Sequence, residues 1–520
     1  MIRTGNKYKL SIIILLGLVY SSYIFCLYIN QQIDSDYSNL VLEANDIIHG
    51  NLFLRNWNLT GISFVTTDLL YFIFGALFFG ISVKTYIVAI TLMFLAISFS
   101  SLCLSVDKFR SISWRELLVF SLFAGLPSFW LLSCARAHTG GIILCLIALY
   151  YTNKIREEEG GRYSVIITMI CLTMGLMGDA ICLIIITLPV VIECLYTIVL
   201  KRNNDSNKTK LILLIYGLSA LLGSVLDKLY FKVGGANKND FLGSRHFIPI
   251  KKIGDKMSLY LEALLNITNT NFFDKTILSV DTIIICMRFL VLLFVLFIMG
   301  KNIYDFLTGK KNDFISTILS LGVAFMSLIF IFTDISIDMS SARYIAYFPF
   351  AFIVLLNRWV MKFNFSGANI GKRNEKIKYV LYPVVVIAVL SMAFAKILPL
   401  SNFKIPRSTQ TELSEFLLEN NLENGYSGFW NSSAITVSSN NQVKIRAICN
   451  NDNRLEKYNW FCKDDWYSVP TNFILIGEFD EWYGISEESI INCLGTPKER
   501  LEYNDYTILI YDYDISNKLS

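Results

Sequence analysis

Twelve apolar segments recur along this chain, and no other feature limits its fold so strongly. They lie at roughly 10–29, 62–82, 85–106, 116–132, 139–152, 163–178, 180–200, 211–226, 277–299, 314–333, 343–360 and 379–398. Most approach the ~20 residues that a helix needs to cross the hydrocarbon core of a bilayer. A chain in lipid must satisfy its backbone N–H and C=O groups internally, and apolar runs of this length do so as helices. The composition agrees, with 54% of the 520 residues hydrophobic and 17% charged. That is the balance of a polytopic α-helical membrane protein.

Charge decides how many segments cross. If 62–82 spanned, five basic stretches would face outside: DKFRSISWRE (107–116), NKIREEEGGR (153–162), KRNNDSNKTK (201–210), GKNIYDFLTGKK (300–311) and GKRNEKIK (371–378). Short loops rich in Lys and Arg belong on the cytoplasmic side. Taking 62–82 out of the spans brings all five inside, with Arg3, Lys7 and Lys9 ahead of the first helix. That segment contains Asp68 and opens with WNLTGISFVTTD (57–68), whose polar groups would need partners in lipid. It therefore reads as re-entrant or surface-lying. The expectation is about eleven spans in a membrane domain of residues 1–399, with the N-terminus cytoplasmic and external loops at 30–84 and 227–276.

The first apolar run has the basic flank of a signal peptide. It is also long enough to span, and no small-x-small cleavage pattern follows, so it is expected to stay as the first helix. Residues 400–520 differ in kind. They hold 18 acidic and 10 basic residues, a net of −8 against +12 for the rest of the chain. The helical pattern TELSEFLLENN (411–421), the strands NFILIG (472–477) and YTILIYDY (506–513), and the short helix SEESIINCLG (486–495) predict an extracytoplasmic α/β domain. Eight of the 11 cysteines fall in apolar runs, where small buried hydrophobes are the usual role. A Cys449–Cys462 disulfide is open to an exported domain. No CxxC or HExxH metal signature is present.

Deep in the spans there is almost no charge. Glu193 lies near a cytoplasmic end and Arg288 in the outer half of its helix. A secondary transporter or proton pump would carry ionisable groups at midplane. Here Asp34, Asp36, Asp68, Arg136, His138, Asp179, Arg245, His246, Asp334, Asp338 and Arg343 gather instead at the outer rim, from many loops. Each has a plainer reading. Asp34 and Asp36 would end a helix in water, Asp179 would cap the helix starting at Ala180, and Arg136, His138 and the pair Arg343-Tyr344 would anchor helix ends at headgroup level. The basic run LGSRHFIPIKKIGDK (242–256) sits where positive charge is not expected, which asks for an anionic partner: lipid headgroups or a phosphate-bearing substrate.

An N-in first helix, the acidic stretch IDSDYSNLVLEA (33–44) at its outer end, and an external loop with a re-entrant segment resemble the GT-C superfamily. These are integral-membrane glycosyltransferases that use polyprenyl-phosphate-linked sugars, among them protein mannosyltransferases and the aminoarabinose transferases of lipid A. Asp34-x-x-Tyr37 followed by Glu43-Ala44 and HGN (49–51) is similar to their Asp-Glu…Tyr…Ala…Gly-[Asn/Asp] pattern, with the second acid at Asp36 rather than beside the first. SSARYIAYFPF (340–350) resembles the Arg-Tyr…Pro segment that opens a late helix. The likeness covers roughly residues 1–400 and leaves the C-terminal domain unmatched.

The resemblance implies inverting transfer of a sugar to an acceptor hydroxyl on a lipid, glycan or protein. A carboxylate, Asp34 or Asp36, would be the general base, and Arg or Lys would stabilise the leaving lipid phosphate. Spacing of i, i+2 keeps the two aspartates off a common face. The substrate-binding candidates are Arg136, His138, Asp179, Arg245, His246, Arg343 and Tyr344. No cofactor is implied. A divalent metal stays open, since a diphosphate donor needs one more often than a monophosphate donor does. Two other functions remain: a lipid-linked glycan flippase, which needs a hydrophilic path through the spans, and an O-antigen-type polymerase, which shares the rim arginines but not the acidic motif.

Overall fold

The computed structural model describes residues 4–106, 114–200, 206–239, 245–310, 312–362 and 407–519. The expected span at 379–398 and the basic run 371–378 lie outside the described residues. The chain begins with α1 (Thr4–Ile29) and the amphipathic α2 (Ser35–Ile48), followed by β1 (Trp57–Thr60), α3 (Leu69–Phe79) and α4 (Val83–Leu104). Then come α5 (Trp114–Phe120), α6 (Phe129–Cys134), α7 (Thr139–Arg156), α8 (Arg162–Gly178), α9 (Leu188–Val199) and α10 (Ser206–Gly234). The short β2 (Asn237–Asn239) precedes α11 (Ile253–Ile267), α12 (Val280–Thr308), α13 (Phe314–Phe332) and α14 (Phe348–Lys362).

Among the described residues, five stretches are long and apolar enough to cross a membrane: α4, Asn207–Gly234, α12, α13 and Met339–Val360. Shorter apolar helices run over Ile14–Ile29, α3, α8 and Leu183–Val199. The outward face of α12 repeats Val280, Ile283, Met287, Leu290 and Phe297 as exposed side chains, a stripe suited to lipid. Among the described residues, two of the apolar segments are broken. At 11 residues, α3 rises about 16 Å, roughly half the hydrocarbon thickness. Gly80, at φ 57°, ends it, and Ser82 caps α4 by accepting from the Lys84 N–H at 3.1 Å. In 116–132 the π-helical turn Ser121–Gly125 and Pro127 separate α5 from α6, and Ser128 caps the second piece at Leu131 N.

The C-terminal region is an α/β unit, as its pattern predicts. It contains α15 (Thr409–Glu419), β3 (Asn424–Ser427), α16 (Phe429–Ser438), β4 (Lys444–Asn451), β5 (Arg454–Lys457) and β6 (Cys462–Lys463). After these come β7 (Phe473–Ile476), α17 (Glu487–Leu494), β8 (Glu499–Tyr503) and β9 (Tyr506–Ile510). Six strands form one mixed sheet in the order β5-β4-β3-β7-β9-β8, with β3 parallel to both β4 and β7. Cys449 and Cys462 are both free thiols; the second lies against Asn58 Nδ2 at 3.8 Å.

This unit is docked on the N-terminal helical region through two features. In a second sheet, β1 pairs with β2 on one side and β6 on the other, so segments 57–60, 237–239 and 462–463 are knotted together. Beside it α16 lies along α2, where Ser433 Oγ donates to Asn39 Oδ1 at 2.8 Å and Ser35 Oγ to the Trp430 carbonyl at 3.1 Å. The result is that α2 runs between the two halves of the protein, with one face toward each.

Candidate active site

At the start of α2 the two aspartates part company. Asp34 is the N-cap: its carboxylate accepts from the Tyr37 N–H at 3.2 Å and meets Arg136 Nη2 at 3.4 Å. Arg136 is fully engaged in holding this corner. It donates to Tyr86 OH at 2.6 Å, to Gln32 O at 3.2 Å and to Ser133 O at 2.8 Å, and it lies over the Tyr37 ring at 4.4 Å. Two residues on, Asp36 points the other way, toward Arg343 Nη1 at 3.8 Å. Burial, and then the nearby Asp34 carboxylate, raise the Asp36 pKa to about 6, while Arg343 and Arg136 restrain the rise.

Asp36 opens on a cavity of about 410 Å³. Its polar lining comes from widely separated parts of the chain: Asp36, Asp68, His138, Asp179, Arg245, Arg343 and Tyr344. Most of the sequence candidates thus meet in one chamber. Asp34, Arg136 and His246 do not line it. The His246 backbone pairs with Asp334, through His246 N to Asp334 Oδ1 at 3.2 Å and Asp334 N to the His246 carbonyl at 3.1 Å. Apart from Tyr37 and Thr60 the remaining wall is apolar, including Leu40, Ile62, Ile181, Ile184, Met326 and Ile335, with Trp460 and Phe461 entering from the C-terminal domain.

The back of the chamber is a buried polar knot. His138 takes a left-handed backbone at φ 61°, and its Nδ1 lies 2.8 Å from Asp179 Oδ2. Its ring packs against Phe64 and Tyr344. Asp179 Oδ1 accepts from the Ile181 N–H at 3.0 Å, which is the capping role expected of it. Asp68 is wholly buried and accepts from the Gly140 N–H at 3.3 Å, while its Oδ2 has no hydrogen-bond partner. Burial, then Asp179, push the Asp68 pKa up to about 7; His138 and the Gly140 N–H act in the opposite direction. Another orphan is Arg343 Nε, a buried donor without an acceptor. Such a donor costs about 1–3 kcal/mol unless a ligand accepts from it.

Asp68, placed by the sequence at the outer rim but not among the substrate-binding candidates, joins the site, and Trp460 and Phe461 extend it. The signal for Asp68 was its place at the end of a polar stretch inside an apolar segment. Nothing local marks Phe461, which arrives with Trp460 by docking of a separate domain. Among the described residues, no three His, Cys, Asp or Glu side chains group to hold a metal ion. No protein-family model and no curated protein matches the chain.

The close approach at Gly140 yields a prediction. A Cβ added there would meet Thr67 C and Asp68 N at 2.6 Å, both rigid backbone. Gly140→Ala is expected to cost about 1–3 kcal/mol and to displace Asp68 from the chamber. Thermal unfolding in detergent checks this, and an unchanged midpoint would contradict the packing.

Proposed function

We propose that the protein is a GT-C-like membrane glycosyltransferase that moves a sugar from a polyprenyl-phosphate donor to an acceptor hydroxyl at the outer face. The observation that carries this reading is the single chamber that joins the Asp36 carboxylate to Arg343 and Arg245 beside an apolar wall. The wall suits the isoprenoid chain, and the arginines suit a phosphate, which a guanidinium grips with two parallel hydrogen bonds. Asp36 removes the proton of the acceptor hydroxyl as that oxygen attacks the anomeric carbon. The bond from that carbon to the phosphate oxygen breaks, its electron pair leaves with the lipid phosphate, and the configuration inverts. Arg343 and Arg245 neutralise the charge that appears on the leaving group. A base with a pKa near 6 is mostly ionised at neutral pH yet strong enough to accept a proton.

In this reading the shorter apolar helices α1, α8 and Leu183–Val199 cross as well as the five long ones, and α3 stays at the outer surface. With the apolar segments at 116–132, 139–152 and 379–398 these make the eleven spans expected from the sequence, which put the chamber and the C-terminal domain outside. Single cysteines near Asn56 and Lys84, which flank α3, should both react with a membrane-impermeant maleimide added outside intact cells. Labelling of only one would break the topology. The donor class is tested by mass spectrometry of lipid that co-purifies with the protein. A polyprenyl phosphate sugar should be retained by Asp36→Asn and depleted in Arg343→Ala; equal retention in both variants would remove the phosphate role.

A further inference from the structure

On the far side of α2 lies a second cavity, of about 230 Å³, between the N-terminal helical region and the C-terminal domain. At about 100° per residue, Leu42, Asn45 and Asp46 on its wall face away from Asp36 and Leu40. Across from them, the sheet of the C-terminal domain contributes Lys444 and Arg446. Arg446 is 9% exposed, its guanidinium carbon sits 4.1 Å above the Trp466 ring, and its Nη1 is a buried donor with no hydrogen-bond partner. Burial lowers its pKa to about 10, so it stays cationic at neutral pH.

Two carboxylates also line the cavity, and both are taken by other groups. Asp46 accepts from Trp57 Nε1 at 2.8 Å and Asn51 Nδ2 at 2.7 Å and pairs with Lys463 at 3.3 Å; Asp465 pairs with the same lysine at 3.2 Å. Among the described residues, no carboxylate lies within ion-pair distance of Arg446 or Lys444. Asp465 acts on Arg446 only through space, a buried cation without a hydrogen-bonded partner is costly, and Arg446 lines this cavity with the side-chain amides of Asn424 and Asn441 alongside.

We propose that this cavity binds a small oxyanion, the phosphate or carboxylate of a sugar-sized molecule, on Arg446 and Lys444. At about 230 Å³ the cavity has room for one molecule of that size. Because the site straddles α2 and the C-terminal sheet, its occupant ties the outer domain to the helix that carries Asp36. The proposal stands independently of glycosyl transfer.

The test titrates inorganic phosphate and, separately, glucuronate against the full-length protein in lipid nanodiscs, read by tryptophan emission, since Trp57 and Trp466 line the cavity. One of the two probes should give a saturable change that survives Arg343→Ala and weakens ten- to a hundredfold in Arg446→Met, the loss expected for a hydrogen bond to a charged group. Arg446→Lys should fall between. Arg446→Met should unfold at or above the wild-type temperature, because it removes an unpaired buried charge. No saturable response to either probe overturns the proposal. So does a response lost in Arg343→Ala but kept in Arg446→Met, which moves the anion to the other cavity, or a marked fall in the Arg446→Met unfolding temperature, which makes Arg446 a structural residue.

Discussion

Asp36→Asn is expected to lower sugar transfer by about 10²–10⁴-fold, whereas Asp34→Asn should keep most of its turnover. The asymmetry follows from where the two carboxylates point. Asp34 caps α2 and braces Arg136, and asparagine caps almost as well as aspartate, so its loss falls on stability, at about 1 kcal/mol or less. Asp36 faces the chamber, and its amide counterpart cannot accept a proton. The same assignment fixes the pH profile. Burial favours the neutral acid, so Asp36 is half in its base form at about pH 6 and the rate should fall toward tenfold per unit below that. Equal losses in the two variants, or a rate that holds down to pH 4, would return Asp36 to a plain helix end.

Arg343→Ala should weaken donor binding ten- to a hundredfold, since a hydrogen bond to a charged group contributes roughly 1.5–3 kcal/mol. It should also move the acid limb of the pH profile upward. Arg343 is one of the groups that hold the Asp36 pKa down, so removing it favours the protonated form at any given pH. Arg343→Lys keeps the charge but loses the planar fork, and should recover the pH limb better than the affinity. Lys238 is a control from the basic external loop 227–276: it pairs with Asp227 at 3.0 Å and lies outside the chamber, so Lys238→Ala should leave both quantities alone. A general attraction to anionic lipid would instead give small, similar losses for all three. Donor affinity and the pH profile, measured on each variant, separate the two.

Periodicity and charge were enough to locate the apolar helices and the separate C-terminal α/β unit, because both signals are local. The rim of Asp36, His138, Asp179, Arg245 and Arg343 was legible for a related reason: in a chain so poor in charge, ionisable groups at span ends stand out. Breaks within apolar runs were harder to see. Pro127 interrupts a segment whose hydropathy is continuous, and hydropathy does not register backbone geometry. The division of labour between Asp34 and Asp36 was half visible. Spacing of i, i+2 says that they diverge, but only the positions of Arg136 and Arg343, 102 and 307 residues away, say which one meets the cavity. The partner of α2 was invisible altogether, since the pairing of β1 with β2 and β6 joins segments that share no local pattern.

Central to this account is bond cleavage at the outer face. The purified protein, reconstituted in liposomes with a polyprenyl phosphate sugar labelled on the sugar and with water-soluble hydroxyl acceptors outside, should release free polyprenyl phosphate at a rate that depends on protein. Asp36→Asn should abolish that release while still binding the donor. Intact donor that merely changes leaflet, with no polyprenyl phosphate formed, would contradict the account and make the protein a flippase.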